Sequence, residues 1–455
     1  MQEIALNANV AVRCGKSEIP WTRLQQMIYQ LPDNEQEELG TAKALASLWD
    51  ATVRKYDPDR TNILNLLQEF SDSDCTDGRD RIYALTAPGS NVRATANEPS
   101  VVQTYDDLIQ LEISYSRTTE QVYEEFAAAC IRLGQVSIWD MLRITSQRSK
   151  GGTVQGKSWV PDWRLPIVRQ PLSSQNSDHS TFDPSCGGPN WNFGHGVAID
   201  PVSDVSDPIP PHYDVDAVTG WLQNTWAIIS GSDHVQRHPE RRGVLLLRFL
   251  DVLIAGDSDA WDAHVSHHLQ LHETYKASKD ILTHSLVWPR PGWAYNEELK
   301  FANSIYDNWV KCYTSKIFPP DLSLEPLYRV LWNVVKSRLV FFRLPSTPLG
   351  GLIVIGLGPS HTQMDDISVP TADIEDRPVL RSMLLRRKDD VEAPVHSSTL
   401  QPRHEGLVEL PSDSRSTLTA TTFQFVGECY CSYTGAEDPW LDDTPELYIR
   451  QIRLE

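Results

Sequence analysis

The sequence predicts an α+β protein: a mainly helical body followed by a small β-rich C-terminal barrel or sheet. Three observations carry this reading. A fully specified amphipathic helix begins near Thr118, and a second helical stretch at 244–254 is apolar on most sides. After Pro348 the pattern changes to short apolar runs separated by Gly-rich and polar segments.

The elements follow in order. Residues 2–6 read as the end of a helix, and 10–14 as a short strand closed by Gly15. Pro20 is placed to open a helix at its first position. Trp21, Leu24, Ile28 and Leu31 then form one apolar stripe. A domain rarely begins on a bare helix end, so further sequence is expected before Met1. Residues 33–38 are an acidic, solvated patch, and 42–49 and 63–70 carry helical patterning. Thr118 and Gln121 fit a capping box. Val122, Phe126, Ala129, Cys130 and Leu133 follow on one face, and Gly134 is a natural C-terminal stop. Glu120, Glu124 and Glu125 early and Arg132 late suit the helix dipole.

Residues 166–215 lose periodicity and read as a long loop or linker. Helical patterning returns over 216–345, with 244–254 as a central core helix. Residues 350–358 look like a strand entering a Gly-rich turn, and 379–385 and 423–433 are also strand-like. Between them, 387–417 is polar and contains Pro394, Pro402 and Pro411, as expected of a disordered insertion. There is no internal repeat.

The chain has 455 residues and a mass of 51.4 kDa, long enough for two or three domains. Apolar residues make up 40% and charged residues 22%, which excludes whole-chain disorder. Forty-one Lys and Arg against 61 Asp and Glu leave a net charge of −20. Such a chain repels phosphate backbones and anionic bilayers, so neither nucleic acid nor an anionic membrane is an expected partner. No stretch reaches the roughly 18 apolar residues of a membrane span. The best run, 244–255, is broken by Arg248 and Asp251. The N-terminus lacks the basic and apolar regions of a signal peptide. Seven cysteines fit a reduced, cytoplasmic protein with free thiols, and Cys429 and Cys431 would face the same side of a strand.

Several constellations suggest chemistry. His264, His268 and His272 would line one face of a helix, with His267 beside them. Successive members stand ~6 Å apart along the axis, too spread for one ion, and the His-Glu-x-x-His order is missing. A metal-dependent enzyme at this helix is therefore the weakest alternative, and no metal is expected. GLGPSH at 356–361 imitates a dinucleotide loop, but its third glycine is absent and Pro359 blocks the helix, so a tight strand-to-strand turn is expected. No P-loop, Gly-x-Ser-x-Gly elbow or Cys-x-x-Cys occurs. DGRDRIYAL at 77–85 reads as a charged turn entering a short helix with Ile82, Tyr83 and Leu85 buried. Arg79 and Arg81 could pair with Asp77, Asp80 or a distant acid, although a charge run is usually a solvated face. SWVPDW at 158–163 is rigid and bulky, suited to pinning a loop against a core, or alternatively to stacking a ligand.

Five ordered stretches together resemble the fungal heterokaryon incompatibility (HET) domain family. QEIAL at 2–6 with VAVRCG at 10–15 and IPW at 19–21 is similar to the family's "W-x-x-Q-E-I-A-L-A … V-x-C-G … I-x-W". TDGRDRIYAL at 76–85 resembles "D-P-R-D-R-I-Y-A-L", carrying Asp77, Arg79, Asp80, Arg81 and Tyr83. ISYS at 113–116, with Tyr115, and VYEEF at 122–126 resemble "D-Y-S … V-Y-x-x-F". SWVPDW, with Trp159, Pro161, Asp162 and Trp163, is similar to "P-S-W-V-P-D-W". GLGP at 356–359, PVLR at 378–381 and VGECY at 426–430 resemble "G-L-G-P … P-F-V-L-R … V-G-E-C-Y", which singles out Gly356, Gly358, Arg381, Gly427, Glu428 and Tyr430.

The chain also departs from the pattern. The family's opening "A-L-S-Y-x-W-G" strand is absent, Met1 stands before Gln2 without the usual tryptophan, Gly78 replaces a proline, Ser114 an aspartate, and Asp365 precedes Asp366 in place of Gly-Asp.

The resemblance implies non-self recognition and programmed cell death in filamentous fungi. It implies that 1–32 is the residual C-terminal edge of a TIR-like α/β domain whose remainder is missing. A helical region at 33–165, the linker, a second helical region and the β-rich unit at 346–455 would follow. Some TIR domains cleave NAD through a glutamate to which Glu3 is similar by position. Without surrounding strands Glu3 reads better as an exposed or helix-pairing acid, so the expectation is a non-catalytic remnant or an interaction or regulatory module with protein partners and no cofactor. NAD enters only under the alternative, a TIR-like NAD-cleaving enzyme that requires the missing upstream sequence.

Overall fold

Gly15 adopts φ +62°, the left-handed backbone that closes a two-residue turn between β1 (Ala11–Cys14) and β2 (Ser17–Pro20). The computed structural model describes residues 7, 9–31, 40–54, 61–95, 108–148, 156–169, 172, 181–183, 188–198, 201–232, 235–236, 239, 242–254, 300, 303, 306–307, 325–343, 354–370, 379–387, 417–418, 421–432 and 448–454. They fall into two units, Met1–Val168 and Arg169–Glu455.

In the first unit, Pro20 ends β2 and caps α1 (Trp21–Gln30) rather than forming its first residue. Trp21 and Ile28 of the expected stripe are buried, Leu24 and Leu31 half-buried. The Gln25 side chain donates to the carbonyl of Ala46 on α2 (Gly40–Arg54) at 3.0 Å, and Trp21 packs with Ala46 and Trp49. Asn62 caps α3 (Ile63–Glu69) by accepting from the Leu64 amide at 3.0 Å. The one-turn helix α4 (Asp80–Tyr83) follows, then a parallel pair, β3 (Val92–Thr95) and β4 (Ile109–Glu112).

Helix α5 (Thr119–Arg132) has both bonds of the Thr118–Gln121 capping box. Its end is a Schellman motif: Gly134 sits at φ +65°, its amide donates to Ile131, and the Gln135 amide donates to Cys130 at 2.9 Å. The buried stripe is Val122, Tyr123, Phe126, Ala127 and Cys130, whereas Ala129 is half-buried and Leu133 exposed. Helix α6 (Ile138–Arg148) follows.

The second unit is a ten-stranded sheet covered by helices, in the order β5 (Thr181–Asp183), β6 (Gly188–Ala198), β14 (Tyr448–Leu454), β13 (Thr421–Ser432), β9 (Val354–Pro359), β8 (Arg338–Arg343), β7 (Asp204–Val205). Off this path, β10 (Ile367–Pro370) pairs with β11 (Val379–Arg387), β11 with β13, and β12 (Thr417–Leu418) with β14. Six strands curl into a half-barrel. Val340, Phe342, Ile355, Leu357 and Tyr430 pack in the core with residues of α7 (Val215–Gly231), α8 (Arg242–Ile254) and α9 (Glu325–Val335). Leu339, Phe341, Val354, Leu384, Cys429 and Cys431 form a separate cluster on the opposite face. The chain is therefore α+β. No described helix is long and apolar enough to cross a membrane, and the described cysteines are free.

Four expectations need correcting. The stretch 166–215, read as a loop, contains β5, β6 and β7. Strand β6 is Gly- and Asn-rich and gains its order from pairing with β14, some 250 positions away, which local composition does not reveal. Residues 338–343 lie inside the region read as helical, yet form β8 between β7 and β9. The β-rich unit is not confined to 346–455, because β5 to β8 belong to its sheet. Gly356 and Gly358 lie within β9, and the turn comes after Pro359. Residues 2–6, with Glu3, the acidic stretch 33–38, the histidines at 264–272 and residues 388–416 lie outside the described residues. Arg387 ends β11 and Thr417 begins β12.

Candidate functional site

Three of the quoted motif stretches meet in the first unit. The Asp77 carboxylate accepts from the Arg79 amide at 3.0 Å, Nε at 2.9 Å and Nη2 at 2.6 Å. The remaining Arg79 nitrogen, Nη1, donates to the carbonyls of Tyr115 at 2.6 Å and Arg117 at 2.7 Å. Arg79 also lies 5.1 Å from the centre of the Tyr115 ring. The Tyr115 hydroxyl donates to Asp80 at 2.7 Å, and its ring meets Tyr83 edge-on at 5.5 Å. Tyr83 in turn donates to the Ser114 carbonyl at 3.1 Å and accepts from the Ser114 amide at 3.2 Å. The turn before α4 is thus lashed to the segment between β4 and α5. The hydrogen bonds from Arg79 hold the Asp77 carboxyl down to about 2 and raise the guanidinium's own value. The bond to Asp80, then burial, raises the Tyr115 phenol.

The third stretch joins through α5. The Tyr123 hydroxyl donates to the Gly78 carbonyl at 2.6 Å. The Tyr123 and Phe126 rings meet buried Trp163 edge-on at 5.0 and 5.3 Å. Trp159 and Pro161 are buried, and the Trp159 carbonyl accepts from Thr145 on α6 at 2.9 Å. Asp162 holds Arg164 through two bonds of 2.8 Å. A Cβ at Gly78 would stand 2.9 Å from Cδ of Arg164 and 3.0 Å from Cγ2 of Thr119, so the turn packs closely against both side chains. Arg117, absent from the sequence-based set, pairs with Glu112 at 2.6 Å and with Glu125. SWVPDW therefore pins a loop onto a core, the first of the two roles its composition suggested.

The C-terminal motif residues lie in the second unit. Glu428 and Tyr430 share a face of β13 by alternation, and Tyr430 is opposite Arg381 of β11 in register. Gly427 stands opposite Leu384 at a bulge that leaves Val426 as the extra residue. A Cβ on Gly356 would strike the Phe341 ring, and one on Gly358 would lie 2.6 Å from Leu384 Cδ1 and 2.8 Å from Thr362 Oγ1, so side chains approach the backbone closely at both glycines. Glu428 is buried and lies within electrostatic reach of buried Arg169 and Arg338. Burial pushes Arg169 down to about 9 and Arg338 to about 10, and Glu428 opposes both shifts.

His361 sits after β9 with Nε2 3.0 Å from the Val426 carbonyl oxygen. Burial, then Arg169 and Arg386, push it down to about 4, against the pull of that hydrogen bond. Arg386 grips Asp366 at 2.8 and 2.9 Å and donates to the His361 carbonyl at 3.2 Å. Sequence reasoning did not single out Arg169, Arg338 or Arg386, because the partners that bury them are distant in sequence and leave no local signal. Among the described residues, no three His, Cys, Asp or Glu converge as a metal site.

Compared with protein-family models, curated proteins and solved structures, the chain matches none.

Proposed function

We propose that this chain is a heterokaryon-incompatibility-type protein of filamentous fungi, acting in non-self recognition and programmed cell death as an interaction or regulatory module. One observation supports this best. Stretches 77–85, 113–126 and 158–163, recognised separately in the sequence, interlock through Arg79, Tyr83, Tyr115, Tyr123 and Trp163. An ordered set of short likenesses that is also one packing unit is harder to assemble by chance than scattered matches. The charged and phenolic groups of the set bond to backbone carbonyls and to each other. Such groups position surfaces rather than transfer protons, which favours a binding role over catalysis.

On this reading, residues 1–32 correspond to the C-terminal edge of a TIR-like α/β domain, the partners are other proteins, the compartment is the cytoplasm, and no cofactor is needed. Induced expression in a filamentous fungus tests it. Growth arrest and death are expected with the wild-type chain and with the surface variant Arg132→Ala, and are lost with Arg79→Ala. A culture indifferent to the wild-type chain overturns the proposal. NAD turnover by the purified protein that vanishes in Glu3→Gln overturns its non-catalytic part.

A further inference from the structure

Three arginines show what one edge of a guanidinium does in this protein. Arg79 holds Asp77, Arg164 holds Asp162 and Arg386 holds Asp366, each with Nε and Nη2 on the two carboxylate oxygens. That edge is the fork that fits a planar oxyanion. Arg81 differs. Its Nη1 donates to the Phe70 carbonyl at 2.9 Å. Its Nε is buried without a hydrogen-bond partner, and among the described residues no carboxylate occupies the Nε–Nη2 edge.

A second cation lies close by. Arg148 is fully buried, and donates through Nη1 to the Leu165 carbonyl at 2.9 Å and through Nη2 to the Leu67 carbonyl at 3.0 Å. Its Nε also has no partner. Leu67 and Phe70 are three residues apart at the C-terminal end of α3, roughly 5 Å along the helix axis, so both guanidiniums are anchored at that end. Burial, then the charge of Arg81, push Arg148 down to about 10. The carbonyls offset part of the cost of burying these cations but carry no full negative charge. Two acids lie nearby: Asp162 is already held by Arg164, and Asp72 accepts from the Ser71 hydroxyl at 3.5 Å and forms no ion pair with either arginine among the described residues. On a chain of net charge −20, anions are repelled in general, and a local pair of cations opposes that repulsion.

We propose that Arg81 and Arg148 form a binding site for a small oxyanion, a phosphate or carboxylate group, seated on the Nε–Nη2 edge of Arg81 in the field of Arg148. The oxyanion completes for Arg81 the bidentate pairing that Asp77, Asp162 and Asp366 supply to the other three arginines.

Arginine-directed dicarbonyl labelling of the full-length chain, mapped by peptide, tests this without altering the fold. It is run in chloride, inorganic phosphate and acetate at equal ionic strength. Phosphate or acetate is expected to slow labelling of Arg81 severalfold while exposed Arg132 is unaffected. Stronger protection by phosphate assigns a phosphoryl ligand, and stronger protection by acetate a carboxylate. Equal labelling of Arg81 in all three salts, or equal protection of Arg132, overturns the proposal. Arg81→Lys supplies an independent reading, because it keeps the charge and a donor for Phe70 but cannot present the fork. Its affinity for the better anion, by calorimetry, should fall about tenfold. An unchanged affinity also overturns the site.

Discussion

The Tyr123 hydroxyl donates to the carbonyl oxygen of Gly78 at 2.6 Å, joining α5 to the turn that carries Asp77 and Arg79. The same ring packs edge-on against Trp163, so one side chain serves both neighbouring stretches. Tyr123→Phe separates the two roles. The ring stays and the Gly78 carbonyl loses its donor. A loss of about 1 kcal/mol in urea unfolding is expected. A loss indistinguishable from zero would mean that the bond contributes nothing beyond ring packing.

Asp77 is held near pKa 2 by Arg79, below its ordinary 3.8. A carboxylate depressed in the folded state adds stability above its unfolded value, and that stability is lost as pH falls through the folded one. The contribution should therefore be complete above about pH 4 and disappear towards pH 2. Asp77→Asn should flatten the stability profile in that window and leave the neutral region parallel to wild type. An identical acid limb in the variant removes Asp77 as its source.

His361 gives a pH dependence of the same sign, in a higher pH window and from a different cause, the burial of an imidazole. Its folded value is pushed to about 4 against an ordinary 6.5, so below 6.5 the unfolded chain binds the proton more tightly. Stability should decline as pH drops from 6.5 to about 4 and level off below. The full difference amounts to about 3 kcal/mol as an upper bound. His361→Gln, which can still donate to Val426, should lose this slope. Retention of the slope in the variant would remove His361 as its source.

What could be read from the sequence depended on how local the determining contacts are. The capping box of Thr118 and Gln121, the glycine stops at Gly15 and Gly134 and the burial of Ile82, Tyr83 and Leu85 are set within a few residues, and each was legible. Strand β6 was not, because its pairing partner β14 lies at the far end of the chain. Strand β8 was also missed. Its RLVFFR run follows α9 after only two residues and continues an apolar pattern whose period is ambiguous over so short a stretch. Within the candidate site, Arg79 with Asp77 was legible as a neighbouring charge pair. The carbonyls of Tyr115 and Arg117 that it also binds were not, since a backbone acceptor leaves no trace in residue type.

Gly356 illustrates the same limit, and carries the sharpest packing test. In sequence it belonged to a Gly-rich turn, but in the structure it is the centre of β9, opposite Phe341 of β8 and Cys431 of β13. A flat strand interior disfavours glycine, which leaves backbone freedom unfixed and adds no side-chain contact. The compensation is the Phe341 ring, which occupies the space where a Cβ would stand. Gly356→Ala should therefore destabilise the second unit by about 1–3 kcal/mol, although alanine is the better strand residue by backbone entropy. Phe341→Leu alone should also destabilise, by removing buried ring surface. In the double variant the smaller side chain vacates the space that the new methyl needs. The combined loss should then fall short of the sum of the two single losses by 1 kcal/mol or more, roughly the coupling expected of residues in direct contact. Additive losses would show that the glycine is needed for its backbone and not for the ring that lies against it.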